Sequence, residues 1–174
     1  MVTGTSREAD VRGADVASDI FLHVKTKRAG KIKGEGTTEG HEDDIGVLRW
    51  DWGVAANTAI GSTQATARRS YKSLVVIKRI DSSSTGLLSA LVSNDEVREA
   101  TLTMRKAGGE ALDYLRMTLN DARVVNVDFS VGDDGHAVET VAFAFTKVEI
   151  EYRRQQQAGV SSGSFLFTDE AIGA

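Results

Sequence analysis

Apolar and polar residues alternate in run after run of this chain, and in its last long run the alternation slips by one residue. Val141, Phe143 and Phe145 are odd-numbered, whereas Val148, Ile150 and Tyr152 are even-numbered. A side-chain period of two belongs to a strand with one buried face. A slip near Thr146-Lys147 turns that face over, so a strand over residues 137–152 must carry a bulge and bend from one sheet to another. Strands that bend between sheets form the corners of small barrels. That slip limits the chain to a mainly β architecture with two connected sheets.

The other runs agree. Ile20, Leu22 and Val24 share one face of a first strand over residues 19–24. Within residues 45–54, Leu48, Trp50, Trp52 and Val54 fall on one face, and Arg49 and Asp51 on the other. Residues 70–80 read as a strand whose centre, Leu74-Val-Val-Ile77, is apolar on both faces and hence covered on both. Ala100, Leu102 and Met104 alternate next. Leu115, Met117, Leu119, Val125, Val127, Phe129 and Val131 are all odd-numbered, which suggests one long strand, or two with a bulge near Asn120-Asp121. Gly132-Asp-Asp-Gly135 is a hairpin turn signal.

One helix interrupts the strands. Ser82, Ser83 and Ser84 offer N-caps, and Leu87, Leu88, Leu91 and Val92 recur on one helical face. The pattern therefore predicts a small antiparallel β-barrel of two sheets, seven or so strands, with one flanking α-helix. Residues 55–67 are too polar for a core strand and too long for a tight turn, so this loop calls for a purpose beyond connection.

The domain limits follow from where the alternation starts and stops. Residues 1–18 read as a flexible arm, 19–157 as the barrel and 158–174 as a C-terminal tail. With 174 residues, the chain is long enough for one domain with a sizeable core. A net charge of −4 argues against a general nucleic-acid binder. No apolar run approaches the roughly 18 residues of a membrane span, and the first residues lack the apolar core of a secretory signal. There is no cysteine, hence no thiol nucleophile, thiolate metal site or disulfide.

Candidate chemistry is thin. Gly159-Val-Ser161-Ser-Gly163 matches the nucleophile-elbow spacing, but no histidine follows it and no apolar strand precedes it, so chance in a Gly/Ser stretch accounts for it. The run from Gly34 to Gly40 carries two carboxylates where a dinucleotide's phosphates would approach, and reads as a glycine-rich turn. His41-Glu42-Asp43-Asp44 is too local to wrap a metal ion, and is taken as a solvated or intersubunit charge cluster. Its sign is opposite to the preceding Lys25, Lys27, Arg28, Lys31 and Lys33. Such blocks can pair between copies, which makes Glu42, Asp43, Lys31 and Lys33 interface candidates. Trp50 and Trp52 are read first as core, with a ligand platform or subunit contact as the alternative. No catalytic, cofactor-binding or metal site is assigned, and the residues favour a binding or assembly module over an enzyme.

Four segments resemble the haemolysin-coregulated protein (Hcp) family, the tube proteins of bacterial type VI secretion. They are the opening strand Asp19-Ile-Phe-Leu-His-Val24; the run from His41 through Ile45, Val47-Leu48, Trp50 and Trp52-Gly53; Leu102-Thr-Met-Arg-Lys-Ala-Gly-Gly-Glu110 with Tyr114 to Leu119; and Val138 to Tyr152. The family commonly has proline just before its helix, where this chain has Thr85. The resemblance implies a barrel with a flanking helix, similar to phage tail-tube proteins, that forms rings of six stacked into a hollow tube.

By the same resemblance the protein is non-enzymatic and takes no cofactor. Its partners are its own copies, a contractile sheath, the spike protein at the tube tip and small effectors in the lumen. Nucleic acid and membrane insertion are not expected. The tube protein would assemble in the cytoplasm and be secreted without a signal peptide. The loop over 55–67 falls where family members have an extended loop that contacts neighbouring subunits. That adds Asn57, Thr58, Ile60, Thr63, Gln64, Arg68 and Arg69 to the interface candidates. The competing reading is a monomeric β-barrel that binds a small ligand at Trp50 and Trp52.

Overall fold

The computed structural model describes residues 18–56, 61, 69–107, 111–154 and 163–171. In chain order the elements are β1 (Ser18–Thr26), β2 (Gly30–Ile32), β3 (Ile45–Val47), β4 (Arg49–Asp51), β5 (Val54–Ala56), β6 (Arg69–Tyr71) and β7 (Leu74–Arg79). The helix α1 (Ser84–Val92) follows, then β8 (Val97–Lys106), β9 (Asp113–Val131), β10 (Ala137–Ala144), β11 (Lys147–Arg153) and β12 (Ser164–Glu170). The fold is a mainly β barrel of two layers sharing one strand. The first layer runs β1-β8-β9-β11-β12, with β2 and β3 side by side on the outer edge of β1; the second runs β9-β10-β7-β4. All these pairings are antiparallel.

β9 joins the layers. Its first half pairs with β8 and β11, and its second half, from Arg123 onward, pairs with β10. The bend lies at Asp121, whose φ of 47° adds a residue out of step with the pleat. Met117 and Leu119 are buried before it, and Ala122 and Val124 after it, so the buried parity changes there. A second offset opposite Ala142/Phe143 returns the odd Val127 to the core side, half-buried, while Val125 and Phe129 stay about half exposed. The chain makes its other layer change between β10 and β11, at Phe145 and Thr146.

The run over 45–54 is two strands rather than one. β3 pairs with β1 in the first layer and β4 with β7 in the second. Leu48, at the crossing, is 48% exposed, while its backbone N–H donates to the Ile77 carbonyl at 2.8 Å. Burial therefore passes from the odd Ile45 and Val47 to the half-buried, even Trp50 and Trp52. β7 also departs from expectation: Leu74, Val76 and Lys78 point inward and are fully buried, whereas Val75 and Ile77 are only partly covered.

The helix buries Ser84, Leu87 and Ala90 and leaves Leu88 and Val92 outside, Val92 at 77% exposure. With nine residues it presents one narrow stripe to the core, and the neighbouring leucine and valine of the expected face overhang its edge. None of the serines caps it through its side chain in the usual way. Ser83 occupies the cap position without a side-chain cap bond, and its backbone N–H instead donates to Asp81 Oδ1 at 2.9 Å. Ser84 turns its hydroxyl inward.

Residues 164–170, inside the segment read from sequence as a tail, form β12 and pair along the whole of β11. Ala55 and Ala56, which open the segment read as a loop over 55–67, belong to β5, and β5 pairs with β6 in a separate two-stranded ribbon that joins neither layer. Between the layers lies one core: Leu22, Val24, Leu102, Met117 and Leu119 from the first, Leu74, Val76, Val141 and Phe143 from the second, and Leu87 from the helix. Burial of a side chain such as Phe143 contributes about 2–3 kcal/mol over leaving it in water.

Candidate functional site

Of the acidic run after His41, Asp44 is buried together with His41, whereas Glu42 and Asp43 stay exposed. His41 is stacked on Phe21 of β1, ring centroids 4.1 Å apart and 5° from parallel. Its Nδ1 faces Asp44 Oδ2 at 2.9 Å, and its Nε2 faces Asp113 Oδ2 at 3.1 Å. Both carboxylates accept from the ring when both nitrogens carry protons. Lys31 Nζ donates to Asp44 Oδ1 at 3.0 Å, and His23 Nδ1 lies 3.2 Å from the same oxygen. Arg105 donates from Nε to Asp113 Oδ1 at 2.7 Å, and from Nη1 to the Glu39 carbonyl at 3.0 Å. The network thus ties the loop 33–44 to β1, β2, β8 and the start of β9.

Two glycines let that loop close. A Cβ on Gly34 would lie 2.5 Å from the Asp44 carbonyl oxygen, and one on Gly36 2.5 Å from that of His41. The backbone instead makes Gly34 N–H to Asp43 O at 2.8 Å and Gly36 N–H to Asp44 O at 3.0 Å. The glycine-rich turn is a close approach of backbone to backbone that seats His41 and Asp44.

Burial pushes the Asp44 carboxyl up, yet hydrogen bonds from His41, Lys31 and His23 outweigh it and hold the group below its ordinary range. Asp113 behaves alike: burial raises it, and the Arg105 hydrogen bond with the His41 contacts carries it below. A carboxyl lowered on folding stabilises the fold above its unfolded value, about 3.9 for aspartate, and loses that contribution as pH falls through the folded value. Urea midpoints measured from pH 7 down to pH 3 are therefore expected to fall more for the wild type than for D44N/D113N. An equal fall in both would contradict this assignment.

Of the charge-block candidates, Lys31 binds Asp44 and the Glu42 carbonyl, and Lys33 sits 3.5 Å from Asp43 at the surface. Opposite charges in the two blocks thus meet inside one chain. Trp50 and Trp52 pack against the core. Trp52 stacks on Tyr71 at 5.8 Å and tilts toward Phe145 at 6.3 Å, and its buried Nε1 finds no acceptor. Arg69 opens β6 and binds Asp169 of β12. Asn57, Thr58, Ile60, Thr63, Gln64 and Arg68 lie outside the described residues.

Sequence reasoning missed three clusters. Lys78 and Glu139 are cross-strand neighbours, both fully buried, with Nζ to Oε2 at 2.7 Å. Ser84 Oγ donates to the same oxygen at 2.6 Å, and Asp81 lies 2.9 Å from the lysine, so this pair fastens the start of α1 to the second layer. The other two are Asp113 with Arg105 and Asp169 with Arg69. Parity carried a signal for the first, because Lys78 follows Leu74 and Val76, and Glu139 precedes Val141 and Phe143, at every second residue.

Chemically, these arrangements hold structure together. Both ring nitrogens of His41 are committed to carboxylates, and among the described residues no group of three or more metal-ligating side chains converges on a cation. No helix among them is long and apolar enough to cross a membrane. Two of the exposed apolar features among the described residues are the ribbon, with Val54, Ala55 and Ala56 exposed, and β12, with Phe165, Leu166 and Phe167 between 46% and 64% exposed.

Residues 21–152 match the profile of a protein family described as "Type VI secretion system effector, Hcp". The chain is 31% identical over 152 residues to "Protein hcp1" of Pseudomonas aeruginosa, covering 85% of this chain and 91% of that one. It is 30% identical over 151 residues to the "Major exported protein" of the same organism, covering 76% and 88%. Its fold superimposes on a solved type six secretion system protein with a TM-score of 0.79 at 25% identity, covering 90% of this chain and 97% of the other.

Proposed function

This chain belongs to the Hcp family of type VI secretion tube proteins, and on that premise we propose that its copies close into rings of six that stack as a hollow tube. The observation carrying this reading is the family match across residues 21–152, from β1 to the end of β11. Hcp is a structural secretion family and not an enzyme family, in keeping with committed rather than reactive polar groups at His41. Exposed Phe165, Leu166 and Phe167, with a ribbon paired to neither layer, are surfaces that association would cover.

In this reading Asn57, Thr58, Ile60, Thr63, Gln64, Arg68 and Arg69 of the ribbon and its loop contact neighbouring copies. The tube is packed in a contractile sheath, is tipped by a spike protein and is delivered out of the cell, with small effectors able to ride in its lumen. Residues 1–18 and 158–174 would lie outside the family's shared barrel, although β12 draws part of the latter into the sheet. Light scattering coupled to size exclusion is expected to give about six times the 18.7 kDa chain mass. A monomer persisting at high protein concentration would overturn the proposal. Trp50 and Trp52 are half-buried and packed against the core, which supports the assembly reading over a ligand platform at this pair.

A further inference from the structure

The β5–β6 ribbon pairs only within itself, with Val54, Ala55 and Ala56 opposite Tyr71, Ser70 and Arg69. A lone two-stranded ribbon is marginal in water, so its direction must be set where it leaves the barrel. At that root Lys72 N–H donates to the Gly53 carbonyl at 2.9 Å. Trp52 leads into β5, Tyr71 ends β6, and the two rings stack, with Phe145 edge-on to Tyr71 at 5.7 Å. These apolar contacts seat the root, but stacked rings slide more easily than charged forks bend.

The directional contact comes from the far end of the chain. Arg69 donates through Nε and Nη2 to the two oxygens of Asp169, at 2.5 and 2.7 Å. Its Nη2 reaches the Glu170 carbonyl at 3.3 Å. Tyr71 donates its hydroxyl to the same carboxylate. Two-pronged guanidinium–carboxylate contacts fix orientation as well as distance. Asp169 is delivered by β12, held along β11 by seven cross-strand residue pairs that carry its full length. It stands opposite the fully buried Val148, in line with Phe165 and Phe167, at a position where the strand's alternation calls for an apolar side chain. A carboxylate there gains little from the barrel, and its partners lie on the ribbon.

We propose that β12 is a strap whose Asp169 aims the ribbon, acting as a positioning residue that holds β5 and β6 in the direction in which they meet a neighbouring copy. This rests on the reading of the chain as a ring-forming subunit with its ribbon at the contact. Releasing Asp169 frees the ribbon without opening the barrel, so ribbon order and ring formation fall together while the core stays folded.

Hydrogen exchange on the full chain tests this, with ring content read by light scattering on the same samples. D169A is expected to speed exchange at residues 54–56 and 69–71 by about tenfold or more, the loss of a charge-assisted contact. Exchange in β8 and β9 stays at the wild-type rate, and the ring fraction drops. R69Q, altered on the ribbon side, gives the same result should D169A disturb β12. The reversal R69D/D169R recovers both ribbon protection and rings. Ribbon exchange unchanged in D169A and R69Q overturns the strap. So does faster ribbon exchange with rings intact, which would show that ribbon direction does not govern assembly. A wild type that forms no rings, with the exchange effect still present, instead overturns the ring-forming reading.

Discussion

Replacing Lys78 by methionine lowers the unfolding free energy by about 3–5 kcal/mol, the usual cost of stripping one partner from a buried ion pair. The lysine and Glu139 are both fully buried, so neither can turn to water when the other is removed. Glu139 already has one oxygen, Oε1, without a partner, and in K78M the other keeps only the Ser84 hydroxyl. For a chain of this size the loss corresponds to a melting temperature roughly 10 °C lower. The paired replacement K78M/E139L is the informative control. Removing both charges leaves neither member of the pair buried without the other, although the Ser84 hydroxyl loses an acceptor and Asp81 its lysine, and such swaps are often neutral or stabilising by about 1–4 kcal/mol. A double variant as weak as the single one would show that packing around the pair, rather than its charge, sets the cost. E139L alone should fall between them, because Asp81 remains 2.9 Å from the lysine.

His41→Ala is expected to cost about 3 kcal/mol. The substitution removes the ring's contacts with two carboxylates, at 2.9 and 3.1 Å, and a parallel stack on Phe21. It also leaves Asp44 and Asp113 short of a donor in a partly buried loop, although Lys31 and Arg105 still serve them. His23→Ala, which touches only one oxygen of Asp44 from a side chain 31% exposed, should cost about 1 kcal/mol or less. Urea unfolding of the two variants at pH 7 separates these values. Equal costs would mean that His41 is no more structural than its neighbour on β1.

Much of the fold was legible because a period of two leaves few choices. The parity slip between Phe145 and Val148 located a true change of layer, and the bulge weighed near Asn120-Asp121 lies at Asp121 within one long β9. What stayed hidden has a common cause: alternation reports which residues share a face, not which strand lies beside them. Leu48, Trp50 and Trp52 keep their parity through the crossing from β1 to β7, so one strand and two strands write the same pattern. Lys78 and Glu139 read as outward-facing when taken singly, and only their matched inward parity on adjacent strands reveals the pair. Asp169 was hidden by the Gly/Ser stretch before it, which made the whole segment look like a tail. The four histidine-run residues were legible as a cluster, but Asp113 and Arg105, which complete it, come from another part of the chain.

β9 is long for so small a protein. Its 19 residues span about 60 Å of extended chain at roughly 3.3 Å each, about one and a half times the width of a domain this size. One unbroken strand therefore serves as a common beam for both walls of the barrel, creased at Asp121 and offset again opposite Ala142/Phe143. A load applied to either wall passes along covalent bonds to the other, without crossing a loop that could give way first. In the proposed tube, where each subunit would be driven outward with its neighbours, that would make the barrel yield as a whole or hold as a whole.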